Sequence, residues 1–171
     1  MKKKFSLINP DNLVPDTTFL RRFDHPLFKG KEIDFFKKNN HIIIYNQEWF
    51  TWKTTGVTEL LADQIEIPAP AIQWIVDTIE IKFFKPPAQG GLPIDKFHHI
   101  EKIEGEELMI ARGVSIGGEN IGGYELINLS RNSYILTTSK QEFAMPDPFL
   151  FEHGLMDFLK DLGAKISEGT I

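Results

Sequence analysis

The chain of 171 residues contains no cysteine. That absence excludes a disulfide framework, thiolate catalysis and cysteine-ligated zinc or iron–sulfur centres. Long apolar runs are missing as well. Ile42-Ile43-Ile44-Tyr45 is among the longest, far short of the roughly 18–20 residues that span a bilayer. Met1-Lys2-Lys3-Lys4 looks like the charged start of a signal peptide, but only Phe5 to Ile8 separates it from Asn9-Pro10-Asp11. An h-region needs about 7–15 apolar residues. A cytoplasmic chain without membrane contact is expected. Basic charge is also in deficit: 19 Lys and Arg against 24 Asp and Glu leave −5, a poor balance for gripping nucleic acid over a broad surface. Internal repeats and low-complexity tracts are not evident.

What is present describes a globular chain. Hydrophobic residues make up 42% and charged residues 25%, near the averages for soluble domains. The length suits one domain over residues 1–171. Charge is spread unevenly. Residues 1–40 carry nine Lys and Arg against five Asp and Glu, a net +4, and residues 41–171 carry the remainder at −9.

The first forty residues read as an irregular, basic lead-in with short helical turns. Asp16-Thr17-Thr18 caps one turn carrying Phe19, Leu20 and Phe23, and Gly30 to Lys38 forms another. Ile42–Tyr45 and Trp49–Thr54 then read as a hairpin joined by Asn46-Gln47-Glu48, with Thr54-Thr55-Gly56 breaking the second strand. Pro68-Ala69-Pro70 opens a helix. Ile72, Ile75, Val76, Ile79 and Phe83 recur on it at helical spacing until Lys85-Pro86-Pro87 stops it.

Beyond Gly105 the pattern is that of a three-stranded meander. Leu108, Ile110, Val114 and Ile116 mark the first strand, Tyr124–Leu129 the second and Ser133–Thr138 the third. Gly117-Gly118-Glu119-Asn120 is the first turn. Asp147 and Pro148 start a terminal helix whose stripe is Phe151, Leu155, Phe158, Leu159 and Leu162, ended by Gly163. The expected fold is α+β, an antiparallel sheet of about five strands with helices packed on one face.

Motifs of chemistry are sparse. The glycine-dense run from Gly117 to Gly123 lacks the lysine, the following helix and the spacing of a phosphate loop. Glu119 within it would repel phosphate. His98 and His99 are adjacent, so their imidazoles point apart, and no H-E-x-x-H or H-x₃-H partner exists. Neither a metal nor another cofactor is expected. No G-x-S-x-G elbow is present, so catalysis by a small enzyme of unrecognised type ranks third among the functional readings. Trp49, Phe50 and Trp52 beside Lys53 have the composition of a stacking platform for single-stranded nucleic acid. Trp49 and Trp52 are three apart, so on a regular strand they face opposite sides and at least one belongs to the core.

The acidic surplus points elsewhere. Between Asp95 and Glu125 stand seven carboxylates against three bases. Glu101, Glu104, Glu106, Glu107 and Glu119 gather around predicted turns, where side chains project. Such a field steers a basic partner and raises its association rate by about 10–10³ at low salt. These five residues are the candidate partner-binding surface.

Two stretches give the chain a family look: Trp52-Lys53-Thr54-Thr55-Gly56-Val57-Thr58-Glu59-Leu60-Leu61-Ala62-Asp63 and Gly122-Gly123-Tyr124-Glu125-Leu126-Ile127-Asn128-Leu129-Ser130-Arg131. With its acidic, cysteine-free α+β character, the chain resembles the immunity proteins of bacterial toxin systems, those of contact-dependent growth inhibition in particular. The resemblance implies binding without turnover: a cytoplasmic antitoxin that occludes a cognate toxin domain, often a nuclease and so basic. It assigns no residue roles. The alternative is a single-stranded nucleic-acid-binding module using the Trp49–Trp52 face, to which the −9 of residues 41–171 is a standing objection.

Overall fold

The computed structural model describes residues 2–171. Their order is a four-stranded meander followed by a helix, given twice. Strands β1 (Thr17–Asp24), β2 (Lys31–Lys38), β3 (His41–Thr51) and β4 (Thr58–Pro68) form one antiparallel sheet in sequential order. Helix α1 (Ala71–Asp77) follows and continues as a π-helical segment, Thr78–Phe83. Strands β5 (His98–Ile103), β6 (Glu106–Gly113), β7 (Gly123–Asn132) and β8 (Lys140–Pro146) form a second antiparallel sheet, again in sequential order. The short helix α2 (Asp147–Phe151) and α3 (Leu155–Glu168) end the chain.

The α+β class stands, but the sheet of about five strands is in fact two sheets of four. Several local expectations change with it. The chain is irregular from 2 to 16, as expected, but beyond it β1 and β2 replace the expected helical turns. On β2, Ile33 and Phe35 enter the main core while Asp34 and Phe36 are buried on the opposite face. A strand covered on both sides shows no clean alternation, which hides it from a periodicity reading. Asn46-Gln47-Glu48 is not a turn either; β3 runs through it, and the chain reverses at 52–57, around the Thr54-Thr55-Gly56 break. The third strand of the second meander lies at Lys140–Pro146, and 133–139 is a turn held by Ser133, whose Oγ accepts from the backbone of Ile135 and Leu136.

Two tight turns show why their residues are where they are. Asn39 (φ 52°) with Asn40 links β2 to β3, and Glu104 (φ 47°) with Gly105 (φ 80°) links β5 to β6. Positive φ at both central positions gives the latter the twist that suits a two-residue hairpin.

The main core lies between the sheets and the helices. Phe35 packs edge-on to Phe143 of β8 and Phe158 of α3, and Phe23 meets Phe149 and Phe158. Ile72, Ile75, Val76 and Ile79 supply the expected face of α1 and its extension. On α3, Leu155, Phe158, Leu159 and Leu162 are buried as expected, whereas Phe151 is exposed. Gly163 does not end that helix. It sits where α3 crosses α1, with room for little more than Gln73 opposite, and Gly169 (φ 68°) caps the end instead. No helix of the described residues is long and apolar enough to cross a membrane.

A smaller core covers the outer face of the first sheet, where Ile43, Tyr45 and Phe36 meet Ile8, Phe5 and Leu13. The segment from Lys2 to Val14 is thus a strap across β3 and β4. Phe5 donates its backbone N–H to Glu66 and Ile8 donates to Gln64, at 3.0 and 2.9 Å. Lys2 donates its backbone N–H to Ser130 of the other sheet.

Candidate functional site

The structure scatters the five carboxylates singled out above. Glu106 is 2% exposed, so it cannot project from a turn. It joins a buried network at the seam between the sheets. Arg131 donates to both Glu106 oxygens at 2.6 Å and to Glu66 Oε2 at 2.5 Å. His41 Nε2 lies 2.9 Å from Glu106, and Asn128 Nδ2 donates to both Glu106 and the Glu66 carbonyl. Burial pushes the Glu106 carboxyl up, but the hydrogen bonds from Arg131, His41 and Asn128 outweigh it and hold the group below the usual carboxylate range. Burial also raises the Tyr134 phenol, and its hydrogen bond to Glu66 raises it further. Arg131 and Tyr134 both reach the strap as well, at the carbonyls of Lys3 and Phe5. This network is a structural seam: two carboxylates, one guanidinium and the strap close over it.

The other four remain exposed but face different ways. Glu101 accepts from Trp74 Nε1 of α1 at 2.8 Å. Glu104 accepts from Asn40 at 2.6 Å, at the β2–β3 turn. Glu107 follows Glu106 on β6, and Glu119 sits in the glycine-rich loop beyond that strand's far end. They do not make one surface.

A different region combines apolar exposure with unpaired charge. β3 and β4 pair as far as Thr51 and Thr58, whereas β2 ends its pairing with β3 at Glu48. The last turn of this hairpin therefore stands clear of the sheet. Its side chains are large and apolar: Trp49 is 68% exposed, Trp52 43% and Leu60 45%, with Phe50 and Val57 beside them. The expectation that one tryptophan would be core fails for this reason. The two faces alternate as a strand requires, but no second layer covers either of them. Phe50 packs edge-on to Trp52, and Trp52 Nε1 donates to Glu59 at 2.5 Å, so the tip is ordered by its own contacts.

Below the tip, on the Phe50 face, β3 and β4 meet the edge of β8 in a cavity of about 210 Å³. Ile33, Leu61 and Phe143 form apolar walls, and Ile135 closes one side from the 133–139 turn. Four carboxylates line it, Glu48, Asp63, Glu125 and Glu142, against the single cation Lys31. None of the four forms an ion pair among the described residues. Burial raises the Glu125 carboxyl, and Glu142 beside it raises it further. His25, also on the cavity wall, is lowered to about 4 by burial and by Lys31, and its Nδ1 accepts from the Leu27 backbone N–H. The cavity is smaller than the roughly 300–1,000 Å³ that holds a drug-sized ligand, and is on the scale of one side chain.

Trp49, Phe50 and Trp52 were visible in the sequence as an aromatic group. Glu48, Asp63, Glu125 and Glu142 were not, because the fold draws them from four strands and no spacing links them. No family model, curated protein or solved structure matches the chain.

Proposed function

We propose that the chain is a non-catalytic binding protein of the immunity type, which docks its β3–β4 hairpin and the adjoining acidic cavity on a basic surface of a cognate toxin domain. The observation that carries this reading is the hairpin tip. Trp49 with Leu60 on one face of the tip, and Phe50 with Trp52 on the other, stand in water, and large apolar side chains gathered at one tip mark an interaction surface rather than scattered surface apolarity. Tryptophan is enriched among residues that dominate binding energy, and a surrounding rim of charge sets rate and specificity. Glu48, Glu125 and Glu142, with Asp63 held by Ser133 and Tyr134, supply an acidic rim suited to lysine or arginine. Contact therefore shifts from the Glu101–Glu119 stretch to the opposite end of β3: Glu104 and Glu106 meet Asn40 and His41 at its start, and the tip lies roughly 30 Å along an eleven-residue strand.

The test mixes the purified chain with the purified product of the neighbouring reading frame and follows binding by calorimetry and protection by growth. Nanomolar binding, weakened at least about a hundredfold by Trp49→Ala with Trp52→Ala, is expected. Unchanged binding in the double variant would remove the tip from the interface. No binding by the intact chain would remove the reading itself.

The exposed tryptophans also keep the nucleic-acid alternative in view, since the Trp49 ring is largely open to stacking. Against it stand Glu48 and Glu59 flanking the tip. Titrating tryptophan fluorescence with single-stranded DNA at physiological salt separates the two, and no response below about 100 µM is expected.

A further inference from the structure

We propose that β5 is a dimerisation strand, which pairs antiparallel with β5 of a second copy of this chain across a two-fold axis at Ile100. β5 is an edge strand, with β6 its only ladder partner among the described residues. Its environment is unusually apolar for an edge: Ile94 is 91% exposed, Phe97 64% and Ile100 42%. Natural edges are commonly blunted by bulges, prolines or charged side chains, and β5 carries of these only Glu101 and Lys102. It has neither bulge nor proline, and its six residues pair with β6 in unbroken register.

Backbone direction fixes what the edge offers. Arg112 donates its N–H to the Phe97 carbonyl, and in an antiparallel ladder alternate residues turn their backbone groups the same way. Phe97, His99, Glu101 and Ile103 thus bond to β6, leaving His98, Ile100 and Lys102 with N–H and C=O outward. A copy related by a two-fold axis normal to the sheet can present the same row.

Side-chain matching then selects the register. With the axis at Glu101, that carboxylate opposes itself. With the axis at His99, Lys96 opposes Lys102 and Phe97 opposes Glu101. With the axis at Ile100, Ile100 meets Ile100, Phe97 meets Ile103, and His99 meets Glu101 twice. Only His98 against Lys102 is unmatched. Like charges directly opposite disfavour pairing and opposite charges favour it. Trp74 prepares the contact: its ring stacks on His99 and its Nε1 holds Glu101, so both side chains are already fixed on one face.

Sedimentation velocity of the whole chain, from about 1 to about 100 µM, should show a concentration-dependent dimer. Ile100→Pro, which removes an outward N–H and leaves the β6 ladder intact, should be monomeric with an unchanged circular dichroism spectrum. Glu101→Lys should weaken dimerisation at least about tenfold by removing the carboxylate that faces His99, and adding His99→Glu should restore it by placing opposite charges across the pair. Cross-linking tests the register without relying on those variants. The chain has no cysteine, and Cα atoms of a hydrogen-bonded antiparallel pair lie about 5.5 Å apart, within disulfide range. Ile100→Cys should cross-link to itself under mild oxidation and His98→Cys should not. A monomeric wild type, or equal cross-linking at both positions, would overturn the proposal.

Discussion

β1 and β5 hold the same place, the outermost strand that opens each four-stranded meander, and they are built differently. β1 carries a register break between Phe19 and Arg21, and Arg22 next to it makes a bidentate pair with the buried Asp34 of β2. A bulged edge with arginines along it resists a further strand. β5 is regular, short and partly apolar, and its two charges, Glu101 and Lys102, are of opposite sign. A repeated order of elements therefore does not carry repeated surface chemistry. One edge is closed by its own sequence and the other is left pairable.

The two halves differ in the same way at their far ends. The first sheet sends its β3–β4 hairpin past the layer and leaves tryptophan in water. The second ends β5–β6 in a two-residue turn with no projection. Neither half is self-sufficient. α1 and α3 cross at Gly163, and the Arg131 network takes Glu66 from the first sheet and Glu106 from the second.

The sharpest way to break the comparison is to remove one half's helices. A chain ending at Pro146 loses Phe149, Leu150, Leu155, Phe158, Leu159 and Leu162 from the core, each contributing about 1.5–3 kcal/mol by burial. No cooperative thermal transition is expected from it by calorimetry. The next effect is smaller but still large. Arg131→Ala strands two buried carboxylates, and breaking a buried pair in this way costs about 3–5 kcal/mol. Urea denaturation should show that loss. A loss under about 1 kcal/mol would mean the seam between the halves is held by packing alone.

A third prediction concerns pH. His25 belongs to the first half and faces the second across the cavity, and its folded value near 4 lies below the ordinary 6.5. The unfolded chain takes up the proton first, so this group's contribution is complete above about pH 6.5 and declines as pH falls toward 4, by an amount on the order of 2 kcal/mol. Glu125, raised by burial, works in the opposite direction over the acid part of that window. The difference between wild type and His25→Phe isolates the histidine: the variant's stability should fall less between pH 7 and pH 5. Parallel curves would sink the assignment. The smallest effect is at the tip. Trp49→Ala should change stability by less than about 0.5 kcal/mol, because an exposed side chain loses little on truncation. A larger change would show that the tip is part of the fold and not an interaction surface.

Legibility in the sequence follows burial geometry. The α1 face from Ile72 to Ile79 and the α3 stripe from Leu155 to Leu162 were readable, because each buries one side and shows a helical period. β2 was not, since Ile33, Phe35 and Phe36 are buried on both faces. β5 was hidden for the opposite reason: it is exposed, and its alternation of histidine, glutamate and lysine resembles a loop. At the candidate site the aromatic group was legible and its exposure was not. Nothing local says that β2 stops pairing at Glu48 while β3 continues to Thr51. The burial of Glu106 was equally out of reach, because its partner Arg131 is 25 residues away.

The strap has a consequence for how the protein emerges during synthesis. Lys2, Lys3 and Phe5 are made well before their partners Ser130, Arg131 and Tyr134. Until those residues leave the ribosome, the first meander holds Glu66 without its cation and the strap without its anchors. A nascent chain stalled near residue 100 is then a protease-sensitive, incompletely closed sheet. Acquisition of protease resistance should come late and in one step, once α3 has emerged to complete the core.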